Sequence, residues 1–235
     1  MLVSVVKRST VLWNSTLFLI LSSLYIYILH GLGFGVSALD SNLWEYISSN
    51  PATYTLLLFS ALSIFILSRG VLVLFSISCL IISGQGIGLF IETFDKTILF
   101  LDFVFLLFSF YFFLILKREL AEAFYVPCFR TNYIGDKSEF SFAGELSYQG
   151  QKISTSLTNW NRNGCFVYID KKMRLKGTVG LVIHYEGQIF TSKAKVITSY
   201  GNGYGLKFLN EENNPLNWTS FYDIIEDRGL FPRVV

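Results

Sequence analysis

The first half of the chain is almost free of charged side chains, and no other feature of the sequence restricts the fold as strongly. Residues 1–116 hold nine charged side chains, whereas residues 117–235 hold 27. A typical soluble domain is about 25% charged, but this chain is 15% charged and 52% hydrophobic. These values exclude a single soluble globule, and they exclude disorder, which requires low hydrophobicity. We expect a membrane domain over residues 1–116 and a polar domain over residues 128–235.

Four apolar stretches within residues 1–116 predict membrane-spanning helices. They lie at about residues 11–29, 51–68, 70–91 and 97–116. A helix needs roughly 17–25 apolar residues to cross a bilayer, and the second stretch only just reaches that length. The sequence therefore predicts an α-helical membrane domain of four transmembrane helices. The alternative is three spans and one re-entrant stretch, which would place the C-terminal half on the opposite side of the membrane.

The cations that flank the apolar stretches predict which side of the membrane the ends of the chain occupy. Those on one side of the four predicted spans are Lys7, Arg8, Arg69, Lys117 and Arg118. The loops on the other side hold only Lys96. Positive side chains favour the cytoplasm, so both termini are predicted to be cytoplasmic. Thiols stay reduced in that compartment, and the three irregularly spaced cysteines do not suggest a disulfide framework.

Two polar residues inside the apolar stretches have candidate roles. Asp102 lies near the start of the fourth stretch, and we expect it to hydrate about one turn from the membrane surface. Gln85 lies in the glycine-rich segment 84–88, where small residues allow close helix packing and the amide is able to hydrogen-bond across helices. A transporter would require more polar residues along a path, so these two give that function little support.

After Pro127 the pattern changes from apolar helices to short strands. Residues 117–127 are predicted to continue the last span as a helical linker, and beyond them apolar and β-branched residues alternate with polar ones. The predicted strands cover about residues 139–147, 152–158, 165–169, 178–185, 188–198 and 204–208. Six short strands separated by glycine-containing turns fit a small antiparallel barrel or sandwich. Asn214-Pro215 then predicts the start of a C-terminal helix.

The order of motifs in the second half resembles the PilZ domain family. The second PilZ motif is similar to NWNRNG at residues 159–164, which precedes an apolar strand. The likeness continues, in the family's order and spacing, through residues 175–177, 194–196 and 203–208. It covers about residues 128–230 and nothing in the membrane half. The resemblance implies an all-β, six-stranded antiparallel barrel with a C-terminal helix that binds the bacterial second messenger cyclic di-GMP. Together with the apolar stretches and their flanking cations, it predicts a multi-pass protein of the bacterial cell inner membrane.

The resemblance also implies which residues contact the nucleotide. PilZ domains use an Arg-x-x-x-Arg pair before the first strand, together with the small polar residues and the glycine of the second motif. The implied ligand-binding residues are Arg130, Asn159, Asn161, Arg162 and Gly164. No arginine lies four residues from Arg130, and the position four residues after Arg118 is Glu122. Guanidinium groups clamp phosphate through paired charged hydrogen bonds, so losing one clamp weakens binding by about tenfold to several hundredfold.

Two functions remain open for the chain. It is either a membrane-anchored signalling or adaptor protein that acts as a weak or degenerate cyclic di-GMP receptor, or a membrane scaffold whose barrel binds a protein partner and no nucleotide. The expected partners are the lipid bilayer and a membrane or cytoplasmic protein. The sequence has no catalytic, cofactor or metal-ligand motif, so we expect no enzyme activity, no cofactor and no metal. The net charge of +2 is too small for a nucleic-acid binder.

Overall fold

The computed structural model describes residues 4–36, 50–67, 70–127, 141–170, 173–209 and 214–232. The chain divides into two compact units. The first contains residues 9–119, and the second combines residues 3–8 with residues 120–235. The second unit is therefore built from two separate parts of the chain, one before and one after the helical region.

In the described part of the first unit there are four helices. They are α1 (Thr10–Phe34), α2 (Pro51–Ile66), α3 (Val71–Thr93) and α4 (Lys96–Leu120). Helices α1, α3 and α4 are long and apolar enough to cross a membrane, whereas α2 has 16 residues. At 1.5 Å per residue α2 measures about 24 Å, which is shorter than the roughly 30 Å hydrocarbon core of a bilayer. The predicted four-helix region is confirmed, and three of its helices are candidate membrane spans.

The helices bury polar contacts and expose apolar side chains. The Gln85 amide nitrogen donates to the Thr53 hydroxyl over 3.0 Å, which confirms the predicted hydrogen bond between helices. The hydroxyl oxygens of Ser60 and Ser78 lie 2.7 Å apart across α2 and α3. Large exposed side chains on α4 include Phe100, Phe103, Leu107, Phe108 and Phe110. An exposed apolar surface of this extent is typical of helices that contact lipid tails.

Asp102 is buried in the helical unit, so the prediction that it hydrates near the membrane surface is wrong. Only 2% of the residue is exposed, and its Oδ2 accepts a 2.8 Å hydrogen bond from the Ser83 hydroxyl. The facing residue on α3 is Gly86, where an added Cβ would lie 2.8 Å from Asp102 Oδ1. The carboxyl group is buried because a glycine at this position leaves room for it against the α3 backbone.

Among the described residues of the second unit, seven antiparallel strands form one sheet, and six of them close into a barrel. The strands are β1 (Ser4–Val5), β2 (Phe142–Tyr148), β3 (Gln151–Asn161), β4 (Gly164–Ile169), β5 (Thr178–Tyr185), β6 (Gln188–Tyr200) and β7 (Gly203–Phe208). The order around the barrel is β2, β3, β4, β7, β6 and β5, and β5 pairs with β2 to complete the ring. The short strand β1 pairs with β6 outside the ring. The predicted six-stranded antiparallel barrel is confirmed.

Helix α5 (Trp218–Asp227) follows the barrel and contributes to its core. The Phe221 ring at its centre is fully buried. Its centroid lies 5.3 Å from that of Phe142 on β2 and 5.4 Å from that of Phe190 on β6, so the helix packs on both strands. Aromatic contacts at this spacing add to the stabilisation from buried area, and they hold α5 against the barrel.

The start of α5 lies three residues after the predicted one. Asn217 caps the helix, because its side-chain oxygen accepts a 3.1 Å hydrogen bond from the Ser220 amide. The predicted start was Asn214-Pro215. Asn214 instead forms a turn, with its side-chain oxygen accepting from the Leu216 amide over 3.1 Å. Both asparagines offer the same capping chemistry, so the sequence pattern does not distinguish the turn from the helix cap.

Cys165 provides a test of the closed barrel core. Its side chain is fully buried within the core cluster, and burial raises the pKa of this thiol well above its usual value. Because the thiolate is the nucleophile, we expect Cys165 to resist iodoacetamide in the folded chain at pH 8 and to react after unfolding in urea. Mass spectrometry of the peptide that contains Cys165 measures this difference. Alkylation at the rate of an exposed cysteine would contradict the closed core.

Candidate functional site

The residues of the second motif form the turn between β3 and β4, which we call the motif hairpin (residues 159–164). Asn161 and Gly164 are paired across the two strands. The side-chain oxygen of Asn161 accepts hydrogen bonds from the amides of Asn163 at 3.0 Å and Gly164 at 2.9 Å. Asparagine suits this place because its carbonyl group satisfies backbone donors that a tight turn leaves unpaired. Asn161 therefore closes the hairpin and points its amide nitrogen away from it.

The amide groups of the motif hairpin bind the segment that follows α4, which we call the exit segment (residues 122–126). The Asn159 amide donates to the Val126 carbonyl oxygen over 2.6 Å. The Asn161 amide donates to Glu122 Oε2 over 2.7 Å, and the Asn163 amide donates to Glu122 Oε1 over 2.8 Å. Two amides thus hold both oxygens of one carboxylate. Hydrogen bonds to charged groups are the stronger ones, so Glu122 is the main attachment point.

Phe124 lies at the centre of the exit segment and is 1% exposed. Its carbonyl oxygen accepts a hydrogen bond from the Thr198 hydroxyl. A Cβ added at Gly205 would lie 2.7 Å from the Phe124 carbonyl carbon and still closer to its oxygen. A Cβ added at Gly164 would lie 2.6 Å from Phe124 Cδ1. Both positions require glycine because the exit segment packs directly on the backbone of the barrel.

The chain before α1 is bound at the same part of β6. Val5 is paired with Thr198, and the amides of Val6 and Lys7 donate to the Ile197 carbonyl oxygen at 2.8 and 3.1 Å. The pairing of β6 with β7 shifts register between Val196 and Thr198, which is a β-bulge. A bulge redirects backbone groups that would otherwise complete the ladder. Here the residues of the β6 bulge form hydrogen bonds with the segment that precedes α1 and with the segment that follows α4.

Only one of the two predicted arginines lies within the described residues, and it borders this constellation. Arg130 lies outside the residues that the structure describes. The Arg162 side chain is 66% exposed, and its Nη2 lies 3.8 Å from Asp223 on α5. Exposed ion pairs contribute at most about 1 kcal/mol, so Arg162 is free to leave Asp223. It borders a polar cavity of about 120 Å³ that is also lined by Lys207 and by the start of α5.

The five predicted site residues therefore divide into three groups, of which the first, Arg130, lies outside the described residues. The structure brings Asn159, Asn161 and Gly164 together around the exit segment, and it places Arg162 beside them. The partners that the predictions did not include are Glu122, Phe124, Thr198 and Gly205. The one feature of the sequence that touched on them was Glu122, which lies four residues after Arg118 and so does not complete an arginine pair there. In the described ranges, no group of three His, Cys, Asp or Glu side chains is placed to hold a metal ion.

Comparison with models of known protein families matches none of them, and comparison with curated protein sequences also finds no match. The fold and the site define a class of protein by themselves. It has an apolar helical region, then a six-stranded antiparallel barrel with a C-terminal helix, and the barrel holds both segments that connect it to the helices. No family is identified for the chain, so the resemblance to PilZ domains stays a prediction.

Proposed function

We propose that this chain is a membrane-anchored signalling or adaptor protein without enzyme activity. In this proposal the motif hairpin of its PilZ-like barrel binds the exit segment, which links the barrel to α4. The observation that carries the proposal is the set of hydrogen bonds from Asn159, Asn161 and Asn163 to the exit segment. The PilZ resemblance implies that Asn159 and Asn161 contact the nucleotide. Here both amides already donate to the exit segment, which favours a scaffold that binds a protein partner over a nucleotide receptor.

The arrangement suits the transmission of a signal along the chain. The exit segment follows α4 directly, and residues 4–7 directly precede α1, so both connections are short. Both are hydrogen-bonded at the β6 bulge. A net gain of about 0.5–1.5 kcal/mol for each neutral hydrogen bond, and more for those to Glu122, keeps the connections docked. A change at the start of α1 or at the end of α4 then acts on β6, and a partner bound to the barrel acts on the helices.

Localisation follows from the same proposal. The three long apolar helices support a multi-pass membrane protein, and with α2 as the predicted fourth span the cation count supports cytoplasmic termini. With the PilZ resemblance, this favours a barrel on the cytoplasmic side of a bacterial inner membrane. The partner is a membrane or cytoplasmic protein that recognises the barrel. Affinity purification from membranes is expected to retain such a partner whether or not cyclic di-GMP is present.

A receptor for cyclic di-GMP is the second candidate function. The observation in its favour is the polar cavity beside the motif hairpin, which Arg162, Asn163 and Lys207 line together. Two cations and an amide are suitable ligands for a phosphate group. A nucleotide that used the whole motif would, however, have to displace Glu122 from Asn161 and Asn163. That competition, together with the missing arginine pair, lowers the expected affinity.

Calorimetric titration of the full chain in nanodiscs with cyclic di-GMP tests the choice between the two functions. We expect no heat of binding up to high micromolar nucleotide, because the motif donors are occupied and one phosphate clamp is absent. A PilZ domain with an intact arginine pair serves as the positive control. Binding in the micromolar range that Arg162→Ala abolishes would contradict the scaffold and support the receptor.

A further inference from the structure

Three lysines form a cluster on the outer surface of the barrel. Lys195 on β6 and Lys207 on β7 are directly opposite each other in the strand pairing, so their side chains leave the sheet on the same face. Lys207 Nζ lies 5.7 Å from the centre of the Phe124 ring. The Lys7 backbone lies next to them, because its amide donates to the Ile197 carbonyl oxygen over 3.1 Å, and the Lys7 side chain interacts with that of Lys195. We call Lys7, Lys195 and Lys207 the lysine cluster.

The positive charge of the lysine cluster is not neutralised by the described part of the chain. Like charges that face each other across a strand pair repel, and the nearby Lys195 lowers the pKa of Lys7. The ion pairs among the described residues lie elsewhere, as Glu145–Lys152, Asp223–Arg162 and Glu186–Arg228. Three ammonium groups held together without a carboxylate form a surface that is complementary to an anion.

Chain length places this surface close to the membrane if the apolar helices span it. Lys7 is three residues from Thr10, where α1 begins, and three extended residues reach about 11 Å at most. Phe124, which underlies Lys207, is four residues from the end of α4 at Leu120. The headgroup layer on each side of a bilayer is roughly 5–8 Å thick. The lysine cluster is therefore within reach of lipid headgroups at the ends of two candidate spans.

We infer that the lysine cluster binds the phosphate headgroups of anionic lipids at the membrane surface, an inference that rests on the proposed membrane attachment. The chemistry is that of three ammonium donors around a phosphate oxygen. Lys7 and Lys207 are exposed. Exposed lysines bind a soluble anion weakly when the anion is present at low concentration. A headgroup is different because the membrane keeps it at high local concentration. Each lysine near an anionic surface contributes roughly fivefold to the affinity, and the effect decreases with salt.

Lysine reactivity measures the proposed contact in the full chain. The chain is incorporated into nanodiscs of phosphatidylcholine alone, or with one third phosphatidylglycerol, and treated with an uncharged amine-acylating reagent before mass spectrometry. We expect Lys195 and Lys207 to react at least threefold more slowly in the anionic nanodiscs, and high salt is expected to remove the difference. Lys152, which pairs with Glu145 and is 80% exposed, is the matched control and is expected to react equally in both.

A double variant and a soluble anion complete the test. Lys195→Gln combined with Lys207→Gln is expected to abolish the lipid-dependent protection of Lys7. Equal reactivity of the cluster in both nanodiscs would overturn the inference. Protection by inorganic phosphate in neutral nanodiscs, with none from phosphatidylglycerol, would overturn the lipid assignment in favour of a soluble phosphate ligand. A chain that fails to enter nanodiscs at all would instead overturn the proposed membrane attachment.

Discussion

Replacing Gly205 by alanine is expected to release the exit segment from the barrel. The added Cβ would lie 2.7 Å from the Phe124 carbonyl carbon. The Thr198 hydroxyl donates to the Phe124 carbonyl oxygen, and this hydrogen bond holds both residues in place. The clash involves backbone atoms, so no rotation of a flexible side chain relieves it. Overpacking costs typically 1–3 kcal/mol, and loss of the Thr198 hydrogen bond adds about 1 kcal/mol. We expect the docked state to lose about 2–4 kcal/mol.

Hydrogen exchange of the full chain in nanodiscs measures the effect of Gly205→Ala locally. The amides of residues 122–126 are expected to exchange 30-fold faster or more, which corresponds to about 2 kcal/mol. Gly180→Ala is the matched control, because its Cβ would lie 3.4 Å from the Ser147 Cβ in ordinary contact. We expect this control to leave residues 122–126 unchanged. Wild-type exchange in Gly205→Ala would contradict the close packing of Phe124 on β7.

The barrel was predictable from sequence where alternation is regular and its turns are chemically explicit. The observed bounds of β5 equal the predicted residues 178–185, because the alternation there is unbroken. The strand ends at Glu186-Gly187, where both residues have positive φ, as a two-residue hairpin requires. Strand β3 extends to Asn161 instead of 158, since a bulge between Leu157 and Asn159 interrupts the period of two. Whether a bulge forms depends on the partner strand, and the sequence alone does not identify that partner.

In the helical region, too, properties of a single segment were predictable, whereas contacts with a neighbouring helix were not. Apolar length predicted four helices, because length and hydrophobicity are properties of one segment. The burial of Asp102 depends on Ser83 and Gly86 of a neighbouring helix. Its position near the start of an apolar stretch suggested hydration, but the contact with α3 determined its environment. The glycines in that stretch were a signal for close packing, and only the structure pairs one of them with the carboxyl group.

The motif hairpin was predictable from the sequence, whereas the residues that it binds were not. Asn159, Asn161 and Gly164 follow from the motif pattern alone. Their partner Glu122 lies 39 residues before Asn161, and the contact exists only after the barrel closes. The structure gives Glu122 a physical role. Asparagine amides donate hydrogen bonds, so a carboxylate from the chain itself satisfies the amides of the motif hairpin.

Replacing Asn161 by aspartate tests whether the motif hairpin holds the exit segment through Glu122. The new side chain still accepts from the Asn163 and Gly164 amides, so the hairpin turn is preserved. The oxygen that replaces the amide nitrogen would face Glu122 Oε2 at about the present 2.7 Å. A charged hydrogen bond worth about 1.5–3 kcal/mol is lost and two carboxylates repel. We expect about 2–4 kcal/mol of lost docking at pH 7, seen as faster hydrogen exchange of residues 122–126.

Two responses distinguish this charge effect from a general loss of stability. Two facing carboxylates raise the pKa of one of them in the docked state, so that state binds more protons than the undocked one. Docking of Asn161→Asp is therefore expected to recover as the pH falls through that raised pKa. A second substitution, Glu122→Gln, is expected to restore docking at pH 7, because its amide donates to the new carboxylate. The matched control is Asn217→Asp, which adds the same charge at the cap of α5, where aspartate is an equally good cap. If neither acidification nor Glu122→Gln slows exchange in the Asn161→Asp variant, Glu122 is not what attaches the exit segment to the barrel.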